Sequence, residues 1–377
     1  MSLASLDWGS SYQRPRGQSR SGRLNIDWPL FAILLAVSGL GFVVLYSAVG
    51  ENLNLMLRQA SRFAIGFAAF IALAQVRPRH LRMWTPWLFA AVLGLLLLVM
   101  VDGEVGKGAQ RWLDVGVVRF QPSELMKLAV PLMVAWFMHD RHMPPTLLQL
   151  AVVLLIVAVP ALLIAKQPDL GTALLVVAAG GLTILLAGIS LRVIAAVSLA
   201  GIVCAPILWN FMLDYQRARV LTFLNPESDP LGSGYNIIQS KIAIGSGGLF
   251  GKGWLNGTQA HLEFLPERST DFIFAVIAEE FGLLGLLLLL LLYLALVGRG
   301  LYIAVQAQDT FTRLLAGGLS LTFFVYVFVN AGMVCGVLPI VGVPLPLVSA
   351  GGTSMVTLLA GFGMLAAISG HRKLLAS

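Results

Sequence analysis

The residues best suited to chemistry are charged side chains in four short segments, each of which borders a long apolar run. These segments are Lys107–Leu113, Phe120–Lys127, Lys166–Thr172 and Glu263–Phe274. A charge within or beside a membrane span is costly, so each of these side chains is a candidate functional residue. Grouped cations are suited to binding an anion, and a carboxylate among them is suited to accepting a proton.

Glu124 and Lys127 form the first candidate pair. Pro122 is suited to the first turn of a helix, which places these two residues three positions apart on one helix face. They are either a local ion pair that makes the helix end tolerable, or part of a site in which Lys127 and Arg111 bind an anionic group. The sequence leaves both interpretations open.

Two more charged positions also have plain structural explanations. Asp169 follows Pro168 and is suited to capping the next helix, although a cap does not account for Lys166 nearby. Arg217 stands where an apolar run ends, and arginines commonly snorkel to the interface at such places. Each of these side chains is also a candidate for contacting a charged substrate.

Asp271 begins the eighth apolar run, and Arg268 lies three residues before it. A neighbouring cation favours the ionised carboxylate that a general base needs. The alternative is that Asp271 merely caps the helix. Glu279 and Glu280 lie further along the same run, and at about 100° per residue they do not form one cluster with Asp271. We expect these two glutamates to be paired inside the bundle.

The elements that must position these residues are membrane helices. Hydrophobic residues make up 58% of the 377 residues, charged residues only 11%, and the mean hydropathy is +0.86. A soluble protein carries about 25% charged residues, so the composition excludes a soluble domain. Apolar runs long enough to cross a bilayer, about 20 residues each, predict an all-α polytopic membrane protein. Its ten predicted transmembrane helices cover 28–48, 57–76, 83–101, 123–138, 147–165, 169–188, 191–211, 271–297, 312–333 and 346–369.

The distribution of charge predicts the orientation of the chain. An even number of spans places both termini on one side of the membrane. With the termini in the cytoplasm, the inner segments hold 13 basic and four acidic residues, whereas the rest of the chain holds 12 and 14. This asymmetry follows the positive-inside rule and accounts for the net charge of +7 without a nucleic-acid partner. The opposite side, which is predicted to be extracytoplasmic, is called the outer side below.

The predicted organisation has five parts. They are a cytoplasmic basic tail (1–27), transmembrane helices 1–7 (28–211), an extracytoplasmic loop between helices 7 and 8 (212–270), transmembrane helices 8–10 (271–370) and a cytoplasmic C-terminus (371–377). Within the loop, Tyr235–Gly253 is apolar and glycine-rich but too short to span, which predicts a re-entrant or interfacial element. Loops of this length in compact chains are usually functional. The two cysteines and the five histidines show no metal-site spacing.

These segments, together with Pro344–Ser354, resemble the SEDS family (shape, elongation, division and sporulation). Only the tail at 1–27 lies outside the resemblance. The resemblance implies a ten-helix fold and a peptidoglycan glycosyltransferase that polymerises lipid II outside the cytoplasmic membrane during cell-wall elongation. It also implies partners: lipid II and the growing lipid-linked glycan, a class B penicillin-binding protein that cross-links the new strand, and other membrane proteins of the elongation complex.

The resemblance also implies site residues. The essential aspartate of the family falls on Asp271, and its functional arginine, glutamate and lysine match Arg111, Glu124 and Lys127. An α-linked donor and a β-linked product imply inversion in a single displacement, with undecaprenyl diphosphate as the leaving group.

The implied reaction makes modest demands on the protein. A diphosphate leaves readily, so the reaction needs one carboxylate for the acceptor hydroxyl's proton and cations for the diphosphate. Lys166 and Arg217 are further candidate cations for this purpose. A divalent cation would assist, although the sequence holds no compelling site for one, and no other cofactor is implied.

Two other functions are consistent with parts of the pattern. A flippase for a lipid-linked precursor also suits buried acids and a charged outer cavity. A flippase needs polar residues across the whole bilayer, however, whereas here they crowd the outer third. A non-enzymatic scaffold for a transpeptidase predicts no clustered charges of this costly kind.

The predicted topology has a direct test in Ser228→Cys, made in a chain whose two native cysteines are replaced by serine. Because residue 228 lies in the outer loop, a membrane-impermeant maleimide should label it in intact cells. Ser190→Cys, in a predicted inner turn, is the matched control and should be labelled only after permeabilisation. Protection of the Ser228→Cys thiol until permeabilisation would refute the topology.

Overall fold

The computed structural model describes residues 25–371, apart from 107–108, 115, 117–118, 230–231 and 262–263. Residues 1–24 of the predicted basic tail, 372–377 of the predicted C-terminus, and the candidate positions Lys107 and Glu263 therefore lie outside the described part. The described chain is mainly helical. Its helices are α1 (Trp28–Ala48), α2 (Leu53–Ala74), α3 (Pro78–Asp102), α4 (Pro122–Met138), α5 (Leu147–Lys166), α6 (Leu170–Leu186), α7 (Leu191–Phe211), α8 (Asp214–Leu224), α9 (Ser233–Gly247), α10 (Thr258–His261), α11 (Ile273–Val305), α12 (Thr310–Val334) and α13 (Thr353–Gly370).

The helices confirm a polytopic membrane protein. Each predicted span overlaps one helix of the structure. The first seven spans correspond to α1 to α7, and the last three correspond to α11, α12 and α13. Among the described residues, seven helices are long and apolar enough to cross a membrane, namely α1, α2, α3, α5, α11, α12 and α13. Helices α6 and α7 have shorter apolar stretches, and α4 carries two charges near its start. Ten crossings remain a prediction.

The last helix begins later than the apolar run predicts. The predicted span starts at residue 346, whereas α13 starts at Thr353. Leu347 has a positive φ of 61°, which an α-helix of L-residues does not contain. Hydropathy alone does not register this obstacle, so the first part of this run folds as a turn.

Local sequence determines where several helices begin. Pro122 lies in the first turn of α4, as predicted. The side chain of Asp169 accepts a hydrogen bond from Thr172 N at 3.2 Å and caps α6. Thr146 and Gln149 form a reciprocal capping box at the start of α5.

The two ends of the described chain meet on one side of the bundle. Asp27, the N-cap of α1, accepts hydrogen bonds from Arg299 Nη2 at 2.8 Å and Ser369 Oγ at 2.6 Å. Asn25 Nδ2 lies 3.3 Å from His371 Nε2. Burial raises the pKa of Asp27, but hydrogen bonds from Arg299, Ser369 and a backbone amide outweigh that effect and hold the pKa below its ordinary value. This carboxylate ties α1, α11 and α13 together.

Helix α12 lies at the centre of the bundle, where it packs against α4, α6 and α11. Helix α13 packs on α2, and α11 also packs on α1 and α9. The contact between α12 and α6 is close, since a Cβ on Gly318 would lie 2.2 Å from Thr183 Oγ1. Small residues permit such approach between membrane helices, where there is no hydrophobic force to drive association.

The outer segment between α3 and α4 contains short strands that the all-α prediction did not include. They are β1 (Glu104–Gly106), β2 (Ala109–Asp114) and β3 (Arg119–Phe120), which pair antiparallel in the order β1-β2-β3. Arg111 lies on β2, so this small sheet, rather than an irregular loop, positions the first candidate cation.

The long outer loop returns to the bundle through the turn that follows α9. This turn, residues 248–253, docks where α11 is interrupted at Gly282. Lys252 N donates to Glu279 O at 2.9 Å, and Leu283 N donates to Gly248 O at 3.0 Å. The turn thereby satisfies backbone groups that the interrupted helix leaves open, as a low-dielectric environment requires.

The interruption of α11 predicts that Gly282→Ala is strongly destabilising. Gly282 has φ +64° and ψ −161°, a conformation open essentially to glycine alone, and an added Cβ would lie 2.4 Å from Gly251 N. We expect a loss of at least about 1–3 kcal/mol, measured as a lower unfolding temperature in detergent. Gly298→Ala in the same helix is the matched control, because a Cβ there meets nothing within 4 Å. Equal unfolding temperatures for the two variants would contradict this account.

Candidate functional site

The first part of the site is the turn between α5 and α6, to which Arg111 is bound. Arg111 donates from Nε to Gln167 O at 3.2 Å and from Nη2 to the Pro168 carbonyl, and its Nη1 lies 3.8 Å from Asp169 Oδ1. Asp169 Oδ2 also accepts a 2.7 Å hydrogen bond from Gln121 Nε2. Asp169 is therefore a helix cap, as one interpretation held, and also the junction of β2, α4 and α6.

The second part is the pair of Glu124 and Lys127, which is buried. Lys127 Nζ lies 2.7 Å from Glu124 Oε1, with the side chains 6% and 8% exposed respectively. The ammonium also lies 4.5 Å from the centroid of the Tyr326 ring, a cation–π distance. Glu124 Oε2 is buried without a hydrogen-bond partner among the described residues. An unsatisfied buried acceptor of this kind is suited to a donor on a ligand.

The third part is the backbone around Asp271. Hydrogen bonds from the C-terminal end of α12 and from the turn before α13 fix its position. Asn330 Nδ2 donates to Asp271 O at 2.9 Å and to Val343 O at 2.7 Å. Ser349 Oγ donates to Thr270 O at 2.5 Å, and Ala350 N donates to Ser269 O at 2.8 Å. Consecutive carbonyls from residue 269 to residue 271 are thus fixed by another part of the chain.

Asp271 is not the N-cap of α11 in this structure. Phe272 occupies that position, and the helix begins at Ile273. A Cβ on Gly342 would lie 3.5 Å from Asp271 Oδ2, so the carboxylate lies beside this glycine. Asp271 therefore lies one residue before the capping position that the alternative interpretation gave it.

Helix α12 connects the second and third parts. Tyr326 and Asn330 are four residues apart, so they lie on one face of α12, about 6 Å apart along its axis. Helix α6 connects the first and third parts, because a Cβ on Gly171 would lie 2.6 Å from Val341 O, next to Gly342. Helices α6 and α12 consequently link the three parts into one region of the fold.

An outer cavity of about 660 Å³ adjoins this region. Arg62, Arg111 and Arg119 line it together with Gln121. Arg62 lies 3.5 Å from the position that a Cβ on Gly352 would occupy, at the start of α13. Three guanidinium groups around one cavity are suited to a multiply charged anion.

Sequence reasoning missed Arg62 and Arg119 as site residues. The signal for Arg62 was available, since it is a cation inside the second predicted span. Asn330 and Ser349 were also missed. They are neutral residues in apolar surroundings, and their role depends on which distant backbone they meet.

Three predicted site residues have different surroundings. Lys166 is exposed at the end of α5. Arg217 donates to Trp209 O at 3.0 Å and to Asn210 O at 2.8 Å, and so satisfies the last carbonyls of α7. Arg268 Nε donates to the Ala48 carbonyl at 2.8 Å and so joins the outer loop to the end of α1.

The two glutamates of α11 are paired within the bundle, as expected. Glu279 Oε1 lies 2.7 Å from Lys252 Nζ and also accepts from Thr258 Oγ1. Glu280 accepts a hydrogen bond from Ser47 Oγ. In the part of the chain that the structure describes, no three His, Cys, Asp or Glu side chains are grouped so that they could hold a metal ion.

The chemistry open to this arrangement combines anion binding with proton transfer. The arginines of the outer cavity and the buried lysine provide positive charge, and Asp271 provides a carboxylate on a fixed backbone. Fixed charges aimed at a reacting group need no reorganisation during the reaction.

Several known proteins are similar to this chain in sequence. Residues 27–374 match the FTSW_RODA_SPOVE family model, described as "Cell cycle protein". Peptidoglycan glycosyltransferase MrdB of Escherichia coli (strain K12) is 53% identical over 94% of this chain and 96% of its own length. A probable peptidoglycan glycosyltransferase FtsW of Geobacter metallireducens is 35% identical over 92% of this chain and 95% of its own length.

Solved structures are similar as well. A chain of a peptidoglycan synthase complex that coordinates polymerization and crosslinking superposes with a TM-score of 0.79, at 34% identity over 92% of this chain and 98% of that chain. The rod shape determining protein RodA of Thermus thermophilus superposes with a TM-score of 0.71, at 30% identity over 92% of this chain and 98% of that chain. Since the family model spans nearly all of the described sequence, and relatives above 30% identity cover more than two thirds of it, this chain belongs to the FtsW/RodA/SpoVE (SEDS) family of cell cycle proteins.

Proposed function

We propose that this chain is a peptidoglycan glycosyltransferase that polymerises lipid II into glycan strands during cell-wall elongation. The observation that carries the proposal is Asp271, a carboxylate on a backbone held by Asn330, one turn of α12 from the Tyr326 ring that the buried Lys127 ammonium contacts. The MrdB relative, 53% identical, is named a peptidoglycan glycosyltransferase, and the FtsW relative a probable one.

In the proposed reaction, Asp271 is the general base. It takes the proton of the acceptor sugar hydroxyl, whose oxygen then attacks the anomeric carbon of the donor. Undecaprenyl diphosphate leaves from the opposite face, so the anomeric configuration inverts. No general acid is needed, because a diphosphate is already a good leaving group.

The cations of the site are proposed to bind the diphosphate. Arg62 and Arg119 join the predicted Arg111 and Lys127 for this role, since three of the four line the outer cavity. Glu124 holds Lys127 in place. Arg111 and Asp169 also fix the turn between α5 and α6, so we assign them a positioning role beside any contact with the substrate. Lys166, Arg217 and Arg268 are proposed only as peripheral contacts.

The proposed location is the cytoplasmic (inner) membrane, with both termini in the cytoplasm and Asp271 facing outside. The charge asymmetry supports this orientation, and the contacts at Asp27 and His371 support termini on one side. The proposed partner is a class B penicillin-binding protein, within a complex of elongation proteins. The similarity to a chain of a peptidoglycan synthase complex supports such a partner.

The alternative function is a lipid-linked precursor flippase. One experiment separates the functions: purified protein, with a partner whose catalytic serine is inactivated, is incubated with lipid II and the products are separated by size. We expect polymer. Transport of lipid II across vesicles without polymer would favour the flippase, and neither activity would favour a scaffold.

Asp271→Asn should abolish polymerisation while the protein still inserts and binds its partner. An amide cannot accept the hydroxyl proton, and losing a general base costs roughly 10²- to 10⁴-fold in rate. Because asparagine caps helices about as well as aspartate, a capping role predicts nearly normal activity. Asp214→Asn, an exposed acid at the start of α8, is the matched control and should retain full activity. More than about a tenth of normal activity in folded Asp271→Asn would remove Asp271 from the mechanism.

The Glu124–Lys127 pair predicts that Lys127→Ala loses both stability and activity. Removing one partner of a buried ion pair leaves the other charge unpaired, which typically costs about 3–5 kcal/mol. The double change Lys127→Met with Glu124→Gln leaves no unpaired charge and should recover most of the unfolding temperature, and Lys241→Ala, an exposed lysine, is the control. Polymerisation by the double variant then decides: persistent loss supports diphosphate binding, whereas recovery to near wild type makes the pair structural only.

A further inference from the structure

A second cavity, of about 600 Å³, lies at the opposite end of the bundle from the proposed site. It is formed by the turn between α2 and α3, the turn between α11 and α12, and the end of α13. Arg77, Arg79 and Arg82 line it, together with His371. This is the side on which the two ends of the described chain meet.

The three arginines of this cavity are available to a ligand. Among the described residues, none of their guanidinium groups has a hydrogen bond, ion pair or ring contact. Asp309 is the one acid lining the cavity, and its Oδ1 accepts a hydrogen bond from Thr312 N as the cap of α12. The cavity therefore carries a net positive charge that the fold does not neutralise.

The floor of the cavity is apolar. Phe311 and Ala307, from α12 and the turn before it, and Ile368 of α13 line it, and each is buried. The cavity wall therefore has an apolar part beside its cationic part. A ligand with a charged head and an apolar body would cover both surfaces.

We propose that this cavity binds the headgroup of an anionic phospholipid from the cytoplasmic leaflet. The phosphate lies against Arg77, Arg79 and Arg82, and the glycerol and first acyl carbons lie on the apolar floor. Basic pockets between membrane helices at the cytoplasmic side are suited to such headgroups, because that leaflet is rich in anionic lipid. The proposal uses the orientation proposed above and is independent of the glycosyltransferase activity.

The positive-inside rule alone explains why arginines are present, but not how they are arranged. Cations that serve only topology can snorkel separately to the interface. Here three arginines within six residues, at the start of α3, converge on one concave surface made by α3, α12 and α13 and the turns beside them. Convergence on an apolar-floored cavity is the feature that points to a ligand.

The test measures lipid binding by the full-length detergent-purified protein with native mass spectrometry. Cardiolipin and phosphatidylglycerol should bind more tightly than phosphatidylethanolamine of the same chain length. The triple variant Arg77→Gln, Arg79→Gln, Arg82→Gln should weaken anionic-lipid binding at least about tenfold. Arg192→Gln, which removes an exposed arginine outside this cavity, is the matched control and should change binding less than about twofold.

Further arms identify the ligand and guard against misfolding. A second triple variant, with lysine at the three positions, keeps the charge and should retain more binding than the glutamine variant. Inorganic phosphate should not compete at the concentrations where the lipids bind. Three outcomes overturn the proposal: equal binding of zwitterionic lipid, wild-type binding by the glutamine variant, or saturation by phosphate or by an acidic peptide such as polyglutamate without any preference for anionic lipid.

Discussion

A polar group inside a membrane protein has no water to bind, and this constraint accounts for the buried polar contacts that hold the site together. The interrupted backbone of α11 at Gly282 is completed by the turn after α9. The carbonyls leading to Asp271 are bound by side chains and backbone of distant segments. Glu124 and Lys127 neutralise each other. The site therefore consists of groups whose positions are dictated by the need for partners, and an atom left without one is suited to a substrate.

Helix α12 converts these separate contacts into one arrangement. Its Tyr326 ring contacts the ammonium of the buried Lys127. One turn later, its Asn330 side chain donates a hydrogen bond to the backbone carbonyl of Asp271. A helix is a rigid spacer, so the distance between the cation and the carboxylate is set before any substrate binds. Catalysis by fixed charges depends on such preorganisation, because dipoles that must turn during the reaction give back part of their stabilisation.

The arginines at the two ends of the bundle are used differently. At the outer end, Arg111 is bound to carbonyls and to Asp169, so its charge is partly occupied in holding a turn. At the other end, Arg77, Arg79 and Arg82 have no side-chain partner among the described residues. The positive-inside rule counts charges on each side but says nothing about surface shape. The shape of the cavity is the additional observation that distinguishes cations proposed to bind a ligand from cations that only orient the chain.

The amino-acid sequence by itself determined the membrane class, the approximate position of the apolar helices and the start of α4 at Pro122. It offered the cap at Asp169 and the pairing of Glu124 with Lys127 as one of two interpretations each. These features depend on hydropathy summed over one span, or on contacts within one helical turn. The tertiary structure alone decided the late start of α13, the strands that carry Arg111, the entry of Arg62 into the outer cavity, and the hold of Asn330 on Asp271, 59 residues away. Those features depend on which helix faces meet, and short-range patterns cannot specify that, because nearly every face of a membrane helix is equally apolar.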